Sequence, residues 1–374
     1  MIYIAVMLPY SPAVSEKAGD NLHEGFMQRC LHLASLGAGY TAPNPMVGAV
    51  LVHAGRIIGE GYHEKFGGPH AEVNCIRSVK AADQELLPAA TLYVSLEPCA
   101  HHGKTPPCAD LIIQQRIPRV VIGCRDPFPE VDGRGIEKLQ ANGVELVFPV
   151  LEEKSISLNL RFFTFHRQKR PYVILKWAES ANHKIADRSG TRVQISNEYS
   201  NRLVHKWRAE EAGILVGTQT ALLDDPLLTA RLWPGKNPVR IVLDKTLRLP
   251  DTLKIFDRSV PTIILNEKKE NQSQNLDYKK IGFNKPCIPG ILSALYSLNM
   301  LSVLVEGGAA LLQSFIDSGS WDEIRVITAT QSEIPEGLAA PARRNSVFIR
   351  TENYYSDRID YFLNDGPEKN EPLP

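Results

Sequence analysis

One histidine and two cysteines constrain this sequence more than any other feature. His70-Ala71-Glu72 is answered by Glu97-Pro98-Cys99 and then by Cys108. One imidazole and two thiolates complete three corners of a zinc tetrahedron. To reach one ion, the start of a helix at His70, the end of a strand before Cys99 and the start of a second helix at Cys108 must meet. The fourth corner stays open, and the Glu72 carboxylate sits two residues from the first ligand. Zinc with an open position lowers the pKa of bound water towards ~7, so hydroxide exists at neutral pH. The pattern therefore predicts chemistry as well as folding.

Helix N-termini favour thiolate over thiol, which readies both sulfurs for metal. A His-x-Glu element followed by Pro-Cys and a later Cys is the signature of zinc deaminases, in which the Glu shuttles protons and does not ligate. Here the interval between the cysteines is longer than in that signature, and the loop from Ala100 to Pro107 carries His101, His102 and Lys104 as a polar wall. Two other readings remain open. His101 or His102 could close the tetrahedron as a structural site, or the cysteines could be ordinary buried thiols without metal.

At 374 residues the chain exceeds what one core supports, so two domains are expected. Lys plus Arg and Asp plus Glu both number 42, which removes a whole-chain electrostatic case for nucleic acid or an anionic membrane. Six cysteines scattered through a chain of this size do not form a disulfide framework and fit a reducing cytoplasm. The opening Met1 to Leu8 is apolar but lacks a basic flank and ends at Pro9, so residues 1–20 read as a flexible extension. Nothing later is long enough to span a bilayer.

Apolar residues at helical spacing from Phe26 to Ala34 predict a helix stopped by Gly37 and Gly39. Val47 to His53 and Arg56 to Tyr62 read as a hairpin about Ala54-Gly55. A helix follows from Pro69 to about Ala82. Strands at Thr91, Val120 and Val144 alternate with helices at Cys108 and Ile136. The economical arrangement is one mixed sheet with helices on both faces. Basic residues before Pro171 mark the boundary, giving a first domain over residues 21–168, a second over 169–365 and a mobile tail at 366–374. The second domain restarts the α/β alternation with strands at Tyr172, Gly213, Val239, Thr262 and Ser302. Glu267 to Lys280, rich in charge, reads as a surface excursion. Between the Ser302 strand and a helix from Ala309, Glu306-Gly307-Gly308 lets backbone amides approach a phosphate.

Several stretches together resemble one family. Pro43-Asn44-Pro45-Met46-Val47-Gly48, His70-Ala71-Glu72-Val73, Leu96-Glu97-Pro98-Cys99, His102-Gly103-Lys104-Thr105-Pro106-Pro107-Cys108 and Arg125-Asp126-Pro127 are similar to the bifunctional deaminase-reductases of riboflavin biosynthesis, the RibD family. The likeness runs from about Asn21 to Leu363. It implies a cytidine-deaminase-like α/β/α sandwich followed by a dihydrofolate-reductase-like α/β domain using NADPH. By this resemblance zinc is held by His70, Cys99 and Cys108, Glu72 is catalytic, and Asn44, His63 and Lys104 contact a phosphorylated pyrimidine. In the second domain it implies Arg208 and Arg231 on the substrate phosphate, Asp224 and Leu228 along the sugar and ring, and Glu306 near the reacting end. Ser180, Thr220, Gly307, Gly308, Ala309 and Ala310 would contact cofactor. A homo-oligomer, dimer or larger, is implied as well, with no nucleic-acid or membrane partner.

Two departures bear on the second site. After Ser180 the family pattern ends in Asp-Gly, where this chain has Ala181-Asn182-His183, and Gln194 stands where the family places a Trp facing the cofactor. Rival functions are a deaminase whose second domain no longer transfers hydride, a nucleic-acid base deaminase sharing the zinc core, and a zinc-stabilised binding protein. Neutral net charge and the lack of a basic, aromatic single-strand groove argue against the second.

Overall fold

The structure, a computed structural model, describes residues 18–100, 106–188, 193–283 and 286–366. Helix α1 (Ala18–Ser35) precedes the antiparallel strands β1 (Gly48–His53) and β2 (Arg56–Tyr62). Then come α2 (Ala71–Arg77), β3 (Thr91–Val94), α3 (Cys108–Gln114), β4 (Arg119–Ile122), α4 (Arg134–Ala141), β5 (Glu145–Val147), α5 (Glu152–Leu158) and α6 (Leu160–Gln168). The sheet runs β2-β1-β3-β4-β5, antiparallel up to β3 and parallel from there. Strand β1 is buried on both faces. Ala49 and Leu51 pack with Cys75 of α2 and Ile112 of α3, while Val50 and Val52 pack with Met27 and Cys30 of α1. The helices lie at backbone contact: a Cβ at Gly48 would stand 2.0 Å from the Cys30 carbonyl oxygen, and one at Gly61 2.3 Å from the Cys75 nitrogen. The expected Pro69–Ala82 helix is shorter. It stops at Arg77, and a separate 3-10 segment occupies Ala81–Ala89 with Pro88 inside it.

The second half supplies β6 (Tyr172–Ser180), β7 (Lys184–Asp187), α7 (Glu198–Glu210), β8 (Gly213–Val216), α8 (Thr218–Asp224), β9 (Val239–Leu243), β10 (Thr262–Asn266), β11 (Leu276–Lys280), α9 (Ile288–Ser297), β12 (Ser302–Val305), α10 (Ala309–Ser318), β13 (Glu323–Ala329), β14 (Gly337–Ala339), β15 (Ser346–Tyr354) and β16 (Asp357–Asn364). Nine of these strands form one sheet in the order β11-β10-β9-β8-β12-β6-β13-β16-β15, and β7 pairs with β14 apart from it. The seven strands from β11 to β13 are parallel; β16 and β15 add an antiparallel edge. Helices α9 and α10 cover one face, burying Ile291, Leu295, Leu312 and Phe315. On the other face α7 contributes Val204 and Trp207, and α8 contributes Ala221.

The charged stretch from Glu267 to Lys280 corrects the surface-excursion expectation, because its end is the edge strand β11. Leu276 reaches the core beneath it, while Lys279 turns outward to Glu270 at 2.8 Å. An edge strand with one solvated face tolerates such charge. Helix α6 joins the halves: Phe162, Phe163 and Phe165 pack with Leu96 and Cys124 of the first sheet and with Leu301 before β12. Arg161 at its start pairs with Glu211, which is buried beyond the end of α7. No helix among the described residues is long and apolar enough to cross a membrane.

Candidate active sites

The three predicted metal donors meet. His70 is the N-cap of α2, Cys108 is the first residue of α3, and Cys99 lies in the loop after β3. From His70 Nδ1 the Cys99 sulfur is 3.7 Å away and the Cys108 sulfur 3.3 Å. The N-to-S edge of a zinc tetrahedron built from ordinary bond lengths is about 3.6 Å, so the donor set fits zinc. The three groups share protons tightly without metal, so that binding an ion would release the protons of His70 and Cys108. Contact with the Cys108 thiol and with His70 keeps Cys99 as thiolate, down to about 4, and Cys99 in turn lifts His70 to about 9. Cys99 and burial push the Cys108 thiol up.

Glu72 is 3 % exposed, and desolvation raises its carboxyl above the usual range. With His70 and Cys99 it lines a cavity of about 500 Å³. Asn44 and His63 line the same cavity and are bonded to each other. The His63 Nδ1–H donates to the Pro69 carbonyl at 2.9 Å, which leaves Nε2 to accept from the Asn44 amide at 3.1 Å. Burial depresses the His63 pKa, so this is a neutral imidazole in a fixed tautomer. Lys104, His101 and His102 fall outside the described residues, which leaves the closed-site reading open.

Two acids in this wall had only their motifs to announce them. Glu97, 4 % exposed, accepts the backbone N–H groups of Asp126, Gly133, Gly135 and Ile136 at 2.9 to 3.3 Å. Its carboxylate thus clamps the Cys99 loop to the N-terminus of α4. Asp126 accepts the Phe128 amide at 2.7 Å, and burial pushes its carboxyl up to about 7.

In the second half the predicted residues gather at the carboxyl ends of the parallel strands, the place where open α/β sheets bind ligands. Glu306 follows β12, and Arg208 approaches from α7 with Nε and Nη2 both 2.7 Å from its carboxylate. The third Arg208 nitrogen donates to the Thr229 carbonyl at 3.2 Å, and Lys176 of β6 stands 4.0 Å from Glu306. Burial opposes ionisation of Glu306, yet Arg208 and Lys176 outweigh it and hold the carboxyl down at about 2. His205, which sequence reading passed over, lies buried one turn before Arg208. Burial, with Arg208 and Arg231, lowers it to about 4.

Arg231 and Asp224 are exposed, and Leu228 is buried with a left-handed φ of 52°. Gly307 and Gly308 separate β12 from α10, whose first turn starts at Ala309 and Ala310 without a side-chain cap. A Cβ at Gly307 would come 2.9 Å from Thr220, and one at Gly308 3.2 Å. The backbone amides therefore lie bare beside the Thr220 hydroxyl, a cradle suited to a phosphate-bearing cofactor. Ser180 sits differently: its hydroxyl donates to Asn182 at 2.6 Å and accepts the Lys184 amide at 3.1 Å. Asn182 in turn exchanges two hydrogen bonds with the Ile334 backbone, so the Ala181-Asn182-His183 departure builds a braced turn between β6 and β7. Gln194 lines a separate polar groove with Asn197, Gln331 and Ser332.

Comparison with known proteins accounts for both halves. Residues 20–124 match the cytidine and deoxycytidylate deaminase zinc-binding region, and residues 171–330 match the RibD C-terminal domain. The riboflavin biosynthesis protein RibD of Aquifex aeolicus is 41% identical over 326 residues, covering 85% of this chain and 89% of its own. That of Escherichia coli is 34% identical over 339 residues, covering 86% and 89%. Among solved structures, a diaminohydroxyphosphoribosylaminopyrimidine deaminase/5-amino-6-(5-phosphoribosylamino)uracil reductase from Thermotoga maritima superposes with a TM-score of 0.84 at 37% identity, covering 92% of this chain and 99% of its own. RibD of Acinetobacter baumannii gives 0.83 at 30%, with the same coverage. A zinc-binding deaminase domain and a reductase domain thus lie in one polypeptide aligned along its length with these relatives, and the chain belongs to the RibD family of bifunctional deaminase-reductases of riboflavin biosynthesis.

Proposed function

We propose that the first half deaminates 2,5-diamino-6-(5-phosphoribosylamino)pyrimidin-4(3H)-one, and that the second half reduces the ribosyl group of the product to ribityl with NADPH. The observation that carries this reading is the convergence of His70, Cys99 and Cys108, with buried Glu72 lining one cavity together with His70 and Cys99. Zinc held by His70, Cys99 and Cys108 would make hydroxide available near neutral pH. Glu72, desolvated and therefore easily protonated, takes the proton of the attacking oxygen. Both protons of the consumed water pass through this carboxylate, one to the ring nitrogen beside the attacked carbon and one to the exocyclic nitrogen, so that a ring carbonyl forms as ammonia leaves. Asn44, with its partner His63, orients the ring, and Lys104 is assigned to substrate as well.

For reduction, NADPH bound in the second half would provide the hydride needed at the first sugar carbon of the opened imine. Arg231, exposed beside buried His205 and Arg208, is suited to the substrate phosphate, with the Arg208 guanidinium behind it. Glu306, held ionised between Arg208 and Lys176, faces the reacting end. Asp224 and Leu228 line the sugar and ring. Thr220, Gly307, Gly308, Ala309 and Ala310 hold cofactor. Ser180 shapes that wall through its turn.

Domain limits at 21–168 and 169–365 follow the end of α6. A cytoplasmic location fits six cysteines present as free thiols. Light scattering of the pure protein tests the expected dimer or larger homo-oligomer. The function is tested by supplying the diaminopyrimidinone phosphate with NADPH or NADH and following ammonia and ribityl product separately. Ammonia release without nicotinamide oxidation would leave a deaminase with an inert second half. Neither product would overturn the reading.

A further inference from the structure

The deaminase cavity is not closed by the deaminase half alone. Its wall includes Phe162, Phe165 and His166 of α6, and Asn299 and Leu301. These positions lie beyond the matched zinc-binding region, and the last two belong to the segment matched by the reductase domain. Two of them are polar. The His166 ring packs against Phe128, Phe162 and Phe165 with centroids 5.1, 4.4 and 5.3 Å away. Neither of its nitrogens has a hydrogen-bond partner among the described residues, although the side chain is half-buried. Asn299 sits in the turn between α9 and β12 with a φ of 55°, fixed by its own N–H on the Tyr296 carbonyl at 2.9 Å. Tyr296 is itself packed on Phe165 at 4.6 Å. Asn299 is exposed, and its side-chain amide has no hydrogen-bond partner among the described residues.

An unbonded polar group on a cavity wall is how pockets of this size fix a ligand, and here packing orients the His166 ring while the left-handed turn places Asn299 at the rim. Burial and the Lys169 charge push the His166 pKa down to about 4. At neutral pH the ring is therefore uncharged, suited to hydroxyls or a carbonyl and not to a phosphate.

We propose that His166 and Asn299 determine substrate specificity in deamination, by hydrogen-bonding the sugar hydroxyls of the phosphoribosylaminopyrimidine along the wall that α6 and the turn before β12 give to the cavity. The reductase half thereby completes the substrate pocket of the other activity. This rests on the deaminase reading above and adds to it His166, in the last helix of that domain, and Asn299, from the reductase half.

The test uses the full chain with three variants. His166→Phe keeps a ring in the aromatic cluster without its nitrogens, His166→Gln keeps a hydrogen-bonding end, and Asn299→Gly removes the amide while tolerating the left-handed backbone. For ammonia release, H166F and N299G are each expected to raise KM about tenfold, the effect of one lost hydrogen bond of about 1.4 kcal/mol, with kcat within about threefold of wild type. H166Q should recover most of the loss. Zinc content, and NADPH oxidation on the deaminated intermediate, should be unchanged in all three. KM values within about twofold of wild type in both H166F and N299G would overturn the proposal. So would a parallel fall in kcat, zinc content and NADPH oxidation, which is the mark of a structural role. Wild-type protein that releases no ammonia would instead overturn the deaminase reading itself.

Discussion

Arg208 lays two guanidinium nitrogens on the two carboxylate oxygens of Glu306, both at 2.7 Å, across a separation of 98 residues. Each side chain is largely buried, and Lys176 adds a second cation at 4.0 Å. The residue pair that the resemblance divides between phosphate and reacting end is thus one electrostatic unit. Arg208 is already spoken for on its forked edge, which leaves Arg231 as the exposed guanidinium of the site.

The pair gives a pH prediction. Glu306 ionises at about 2 in the fold, against ~4.3 for an unperturbed Glu. A depressed carboxylate contributes stability that is complete above the unfolded pKa and drains away as pH falls towards the folded one. On the order of 3 kcal/mol should be lost between about pH 4.3 and 2. Glu306→Gln should start lower at pH 6, by about 3 kcal/mol for an orphaned buried Arg208, and lose less on acidification. Urea midpoints at pH 6 and pH 3 for both proteins check this, and parallel shifts in the two would refute it.

Replacing Glu72 by Gln keeps the shape of the cavity and removes the proton carrier. Ammonia release should fall by a factor of about 100 or more, the scale of lost general acid-base catalysis, while zinc stays near one ion per chain. Atomic absorption together with a coupled ammonia assay gives both values. Zinc lost along with activity would instead make Glu72 a ligand.

Cys99→Ser, or treatment with a strong chelator, should abolish ammonia release and leave NADPH oxidation on the deaminated intermediate within about twofold of normal, because the three donors all belong to the first half. Loss of both activities would mean that the metal holds the two halves together.

What the sequence revealed was chemistry written in residue identity and spacing. His70, Cys99 and Cys108 are rare donors at helix and strand ends, so they could be found before any fold was known. Hidden were the relationships that only folding makes. Glu97 stood inside a recognised motif, but its clamp on Gly133, Gly135 and Ile136 joins amides 36 to 39 residues away. Helix α6 was not read as an element because it is buried against both halves, so no polar stripe gives it a helical period. Strands β15 and β16 are hidden for the opposite reason, since charged and polar residues crowd both the edge strand β15 and its inner neighbour β16.

Gly135 sits at the closest of these contacts. A Cβ there would stand 1.9 Å from the Pro98 carbonyl oxygen and 3.2 Å from a Glu97 oxygen, and the atom it meets first is backbone, which cannot rotate away. Gly135→Ala must therefore push the Glu97-Pro98-Cys99 loop off the start of α4 and carry the Cys99 sulfur out of register with His70 Nδ1. Supports behind a metal ligand typically change affinity by about 10- to 100-fold, and a weakening of that size is expected from a residue that touches no metal. Gly25→Ala, on a face of α1 with nothing within 4 Å, is the matched control and should bind zinc normally. Competition with a chromogenic chelator measures the affinity, with NADPH oxidation as the check that the second half is intact. Equal zinc affinity in G135A and wild type would show that the loop yields without moving Cys99, and the clamp would then have no part in holding the metal.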